Sequence, residues 1–186
     1  MKERTARPRV ISKRKNRNTP LDMLRKSDVV KIVSDSPRRL EELLCLLESR
    51  ERRVRDKAAA TLAQLVAIHP SRLLRSVPRF QESLLDESAY VRWHVVYALG
   101  FLVGRYPSRL KSILPNLLEC LEDQNRIVRI LSSKALAQIA ARSPEMVEEA
   151  FRGTGKAVPA VVADIFSSHL AEGDAEFVQR DENVRK

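Results

Sequence analysis

Leu84-Leu-Asp-Glu-Ser-Ala-Tyr-Val-Arg-Trp-His-Val-Val-Tyr-Ala-Leu-Gly100 is the stretch on which the fold turns. An acceptor side chain, Asp86, precedes an apolar series, Val91, Val95, Leu99 and Leu102, that returns about once per helical turn. The same pattern recurs on both sides at a step of 37 residues: Val54-Arg55, Val91-Arg92 and Val128-Arg129; Leu62, Leu99 and Leu136; Pro70, Pro107 and Pro144. Three independent positions holding one period without insertion mark a stacked repeat architecture, for which periods of about 20–50 residues are diagnostic.

Each unit divides into two helical segments. The second carries the buried stripe: Val54, Ala58, Leu62 and Leu65, then Val91, Val95, Leu99 and Leu102, then Val128, Leu136 and Ile139. Ser49, Asp86 and Asp123 stand just before these segments and are predicted to cap them by accepting from unpaired amides. Pro70, Pro107 and Pro144 end them, because the proline ring clashes with a continuing helix while its missing N–H suits a new start. The first segments begin at Leu40, Leu73 and Ile113, and Pro78 and Pro115 are predicted to kink theirs.

An amphipathic helix with an internal proline, Leu-x-Asp at the turn, Val-Arg, then a small-residue helix ending Leu-Gly or Leu-Ala resembles the HEAT repeat, close to its bacterial and archaeal HEAT-like subtype. The resemblance covers about residues 37–147. It implies an all-α, right-handed solenoid of armadillo-like type, with the second helices lining a concave face. It also implies a ladder in which Asp86 and Asp123 pair with Arg55, Arg92 and Arg129; Ser49 departs from that pattern. A capping helix is predicted over 20–33, opened by Thr19-Pro20-Leu21-Asp22, with repeats at about 37–70, 71–107 and 108–144. A C-terminal cap over 145–171 would include an amphipathic helix bearing Val161, Val162, Ile165, Phe166 and Leu170. Residues 172–186 read as a polar tail.

Of the net charge of +10, most belongs to residues 1–19, which hold eight basic residues against Glu3 alone. This basic arm, with Lys13, Arg14, Lys15 and Arg17 at its centre, is read either as a solvated disordered tail or as a strand that gains affinity for phosphate by releasing counterions. Lys13 to Arg17 also resembles a nuclear import signal, which has meaning only in a nucleated host. No apolar run is long enough to span a bilayer, and the chain starts without a signal-peptide core, so a cytoplasmic protein without membrane insertion is expected. Cys45 and Cys120 lie within helical patterns and lack C-x-x-C spacing, which predicts reduced thiols.

Catalytic chemistry finds little support. His69, His94 and His169 are scattered, without the spacing a metal site needs, so no metal or other cofactor is expected. Gly153-Thr-Gly-Lys156 resembles a phosphate loop but lacks its other glycine and its closing hydroxyl residue, and a helix-ending turn explains it better. Gly100 and Gly104 are better explained by close helix approach than by a membrane motif. HEAT-like DNA glycosylases that remove alkylated bases invite comparison through Trp93, yet their chemistry requires a carboxylate and the middle second helix has none.

If the apolar stripe faces the core, the other side of the middle helix carries His94, Tyr97, Phe101 and Arg105, with Trp93 at its edge. Lys57, Lys134 and Arg142 in the flanking units supply a basic rim. These eight residues form the candidate partner site: aromatic anchors ringed by polar groups are the usual make-up of an interaction hot spot, and the same set can stack unpaired bases. Equally, Tyr97 and Phe101 at helical spacing could pack beneath neighbouring helices. The chain is thus read as a non-enzymatic adaptor for a protein partner, ahead of a nucleic-acid-binding protein and, third, a glycosylase; nothing in the sequence sets an oligomeric state.

Overall fold

A computed structural model describes residues 19–154 together with Val158 and Ala163. The basic arm before Thr19, the amphipathic segment beginning at Pro159 (Ala163 excepted) and the polar tail lie outside the described residues. Among the described residues there are helices and 3-10 turns and no strand, giving an all-α solenoid.

A 3-10 turn at Leu21–Met23 leads to α1 (Lys26–Asp35). α2 (Arg39–Cys45) and a 3-10 turn at Leu46–Glu48 precede the long α3 (Arg52–Ile68). The next unit comprises α4 (Pro70–Leu73), a 3-10 turn, α5 (Val77–Ser83) and α6 (Ala89–Arg105). The third has α7 (Pro107–Leu110), α8 (Leu114–Glu119) and α9 (Arg126–Ala140), and α10 (Pro144–Thr154) follows. The long helices pack side by side, α3 on α6 and α6 on α9, as one layer, and the short broken helices form the other.

The stripe read from the sequence is the core between these layers. Val91, Leu99, Leu102, Val128 and Leu136 are fully buried, as are Leu62 and Leu65, with Phe80 wedged in from α5. Val54 departs from its equivalents and is only half-buried: Val91 and Val128 hold the same place in helices that pack on a preceding long helix, whereas α3 is the first of the three.

Pro78 and Pro115 do more than kink. Each sits in the first turn of a new helix, α5 or α8, after a 3-10 turn at Leu74–Ser76 or Lys111–Ile113. A proline there removes the N–H that would have tied it to the preceding turn, so the first segment divides into two short helices. Pro70, Pro107 and Pro144 open α4, α7 and α10, where no intrahelical N–H bond is lost.

Two local expectations are corrected. No continuous helix runs from Thr19 to Val33: Leu24 and Arg25 are extended between the first 3-10 turn and α1, and Leu21 is sunk into the core. Arg39 fixes this segment by donating to the Thr19 carbonyl at 2.8 Å, and Glu42, paired with Arg39 at 2.8 Å, accepts from the Leu21 amide at 3.3 Å. Ser49, Asp86 and Asp123, for their part, stand two residues ahead of the true N-caps, Glu51, Ser88 and Asn125. They accept from the amides of those residues, at 3.2, 2.7 and 2.7 Å, and so shape the approach turn rather than the helix end. Asn125 is itself a side-chain cap, accepting from the Ile127 amide at 2.9 Å.

Candidate functional site

The Val-Arg arginines build the frame that holds the second helices. Each donates through one guanidinium nitrogen to carbonyls of its own approach turn: Arg55 to Ser49 at 2.9 Å, Arg92 to Asp86 at 2.8 Å, Arg129 to Asp123 at 2.7 Å. Arg55 then reaches Asp86 at 2.7 Å and Arg92 reaches Asp123 at 2.8 Å, each aspartate lying 31 residues further on, in the next unit. These pairs are largely buried and geometrically bidentate, the arrangement in which a guanidinium and a carboxylate bind most strongly. Arg92 holds the Asp123 carboxyl below the usual carboxylate range, with the Asn125 amide assisting against burial. Position 160, where the next acid would fall, is Ala160, and among the described residues the ladder has two rungs and Arg129 rests on its turn carbonyls.

Held in this register, α6 and α9 are drawn together at Gly100. A Cβ on Gly100 would come within 2.5 Å of the Ala135 Cβ, so only glycine permits this approach. Gly104, one turn on, has open space above it. Its carbonyl accepts from Arg142 at 2.7 Å, which ties the end of α9 to the last turn of α6.

Between the two helices lies an open groove of about 680 Å³, bounded by Tyr97, Phe101 and Arg105 on α6 and by Leu131, Lys134 and Gln138 on α9, with Arg142 beyond its end. Tyr97 is 43% exposed and Phe101 36%, so neither is packed away beneath a neighbour. Arg105, Lys134 and Arg142 are exposed around them. The groove thus brings together five of the eight candidate partner residues. Its floor of Gly100, Gly104 and Ala135 was missed as part of the site; the spacing of the two glycines was the available signal.

The other three candidates lie elsewhere. His94 is buried, contrary to its expected place beside Tyr97. Its ring stacks on Trp93 with centroids 3.6 Å apart and touches Tyr90, and Nδ1 is 2.8 Å from the Tyr90 carbonyl, which accepts from it. Burial pushes the imidazole below its ordinary value, Lys26 of α1 opposes its protonation, and Asp56 of α3 favours it. It is a packing residue against the N-terminal units. Trp93, half-buried, belongs to the same cluster, in edge contact with Tyr90 at 5.2 Å. Lys57 donates to the Asp22 carbonyl at 2.7 Å, anchoring the first 3-10 turn instead of forming a rim.

Cys45 and Cys120 are both free, and burial pushes the Cys120 thiol up to about 11, too high for a nucleophile at neutral pH. No helix among the described residues is long and apolar enough to cross a membrane.

Comparison with solved structures places the architecture. A computationally designed armadillo repeat protein for modular peptide recognition superposes with a TM-score of 0.59 at 21% identity, over 77% of this chain and 68% of that one. A designed armadillo repeat protein in complex with the peptide (KR)4 gives 0.59 at 18% identity, over 81% of this chain and 70% of that one. An engineered protein from a structural genomics programme gives 0.55 at 17%, over 77% and 65%. At such identities the likeness establishes the fold. No curated protein matches the chain. Residues 54–158, more than half of the sequence, match the family model described as Cnd1, non-SMC mitotic condensation complex subunit 1; with the repeat, the ladder and the solenoid, the chain belongs to that HEAT-like family.

Proposed function

We propose that this protein is a non-enzymatic HEAT-repeat scaffold that holds a segment of a protein partner in the groove between α6 and α9. The observation that carries the reading is the exposure of Tyr97 and Phe101 over a floor of Gly100, Gly104 and Ala135. Two aromatic rings left in water beside a ready-made trough cost the folded chain hydrophobic free energy that an occupant would recover. The described groove lining has no carboxylate, thiol or imidazole, which weighs against base excision there. The similarity to designed armadillo proteins made for peptide recognition agrees with a peptide-like occupant. In a calorimetric titration with a partner, Tyr97→Ala and Phe101→Ala should each weaken binding by about 1–3 kcal/mol. Both variants should melt as the parent does, and unaltered affinity in both would refute the site.

The charge of residues 1–19 supports a second, separable activity: weak, sequence-independent binding of DNA or RNA through Lys13, Arg14, Lys15 and Arg17. Removing residues 1–19 should abolish most of that binding at low salt. Equal binding by the shortened chain would transfer the nucleic-acid surface to the solenoid.

A further inference from the structure

Outside the groove several cations are matched by acids. Arg39 pairs with Glu42, Arg79 with Glu41 and Glu48, Lys111 with Glu149, Arg152 with Glu148, Arg55 with Asp86 and Glu87, and Arg92 with Asp123. Other exposed basic residues, Arg50, Arg53, Arg75 and Arg126 among them, also have no ion pair among the described residues, but the groove gathers three such cations around two exposed aromatic rings. Among the described residues none of Arg105, Lys134 and Arg142 has a carboxylate within ion-pair distance, and neither α6 nor α9 contains an acidic residue. Arg142 spends one nitrogen on the Gly104 carbonyl and keeps its other donors. The two helix C-termini nearby stabilise these cations without neutralising them.

From these features we infer that the groove selects an acidic peptide segment with a large apolar anchor, a specificity that rests on the groove being the partner site at all. The anchor lies against Tyr97, Phe101 and Leu131. The carboxylates lie toward Arg105, Lys134 and Arg142, because like charges placed there would be repelled and unpaired ones desolvated. Tyr97 to Arg105 spans eight residues of helix, about 12 Å at 1.5 Å per residue. An extended chain covers that distance in about four residues, so anchor and acids fall within a short motif.

A nucleic acid fits this surface less well. Its charge repeats at every nucleotide, whereas the groove's cations gather toward the C-terminal ends of α6 and α9. The same faces carry exposed Tyr90, Ile127 and Ile130 at the other end. A strand following the groove would lay phosphates on that apolar half. The mixed character of a peptide, apolar at one point and acidic at the next, matches both halves.

Random dodecapeptides displayed on phage, selected against the full-length chain and then synthesised with a fluorophore, provide the test by anisotropy. Enriched sequences should carry an aromatic residue or leucine with at least two Asp or Glu within about four positions. Exchanging those acids for lysine should weaken binding at least tenfold, and so should Lys134→Glu combined with Arg105→Glu. Gly104→Leu, whose side chain would enter open space in the groove, should do the same without lowering the melting temperature. Neutral or basic peptides that Gly104→Leu excludes would overturn the acidic specificity and leave the partner site standing. Peptides indifferent to Gly104→Leu, including acidic ones caught by residues 1–19, or no enrichment at all, would overturn both. A 20-nucleotide oligothymidylate that displaces the peptide from the parent chain at 150 mM salt, and whose own binding is lost in Gly104→Leu, would make the groove a nucleic-acid site and sink the inference.

Discussion

His94 and Tyr97 stand one helical turn apart on α6, and one is buried while the other is 43% exposed. Their periodicity is the same, so the sequence placed them on one face; what separates them is the covering of the N-terminal half of α6 by its own Tyr90 and Trp93 rings and by the units before it, which no single-helix pattern contains. This burial has a pH signature. Because the folded state lowers the His94 pKa from its ordinary 6.5, the unfolded chain binds the proton more readily. Stability from this residue is complete above about pH 6.5 and is lost as pH falls below it. Urea midpoints between pH 7.5 and 5 should therefore drop more for the parent than for His94→Gln. The ladder responds in a lower window: Asp123, held below its usual range by Arg92, contributes above about pH 4, and that contribution is lost as pH falls through its folded pKa. Asp123→Asn should cost about 1.5–3 kcal/mol in chemical denaturation at pH 7, since it weakens a charge-assisted pair and leaves the Arg92 guanidinium partly buried without its counter-charge.

Among the elements, the second helices were the most legible, because a stripe of Val, Leu and Ala at helical spacing has few other uses. Leu99, fully buried in α6, is the clearest test of that register. Leu99→Ala should cost about 2–5 kcal/mol of unfolding free energy, and a loss within experimental error would contradict the register. The two glycines of α6 separate packing from propensity. Gly100→Ala should destabilise the chain by forcing α6 away from Ala135, whereas Gly104→Ala meets nothing and should stabilise it by about 0.5–1 kcal/mol, measured by the same titration. The first helices were less legible. Pro78 and Pro115 announced a disturbance, but whether a helix bends or divides depends on the turn ahead of the proline. Ser49, Asp86 and Asp123 carried the right chemistry two residues early, because an Asp serves a turn and a helix N-cap equally well.

For the molecule as a whole, the period of 37 was sufficient to specify a stack of helix pairs, and the resemblance to HEAT repeats supplied the ladder that spacing alone could not pair. The groove was half legible. Tyr97, Phe101, Arg105, Lys134 and Arg142 followed from register, but that α6 and α9 approach closely enough at Gly100 and Ala135 to make one trough is a property of two helices together. Trp93 and Lys57, which share the face by sequence, are claimed by intramolecular contacts with Tyr90 and the Asp22 carbonyl. The central claim, that the partner lies between the second helices of the middle and third units, is tested most directly by amide hydrogen exchange of the full-length chain with and without a saturating selected peptide. Added protection should concentrate in the C-terminal half of α6, from Tyr97 to Arg105, and along α9 from Leu131 to Arg142. Protection confined to residues 1–19, or to the short helices of the opposite layer, would contradict it.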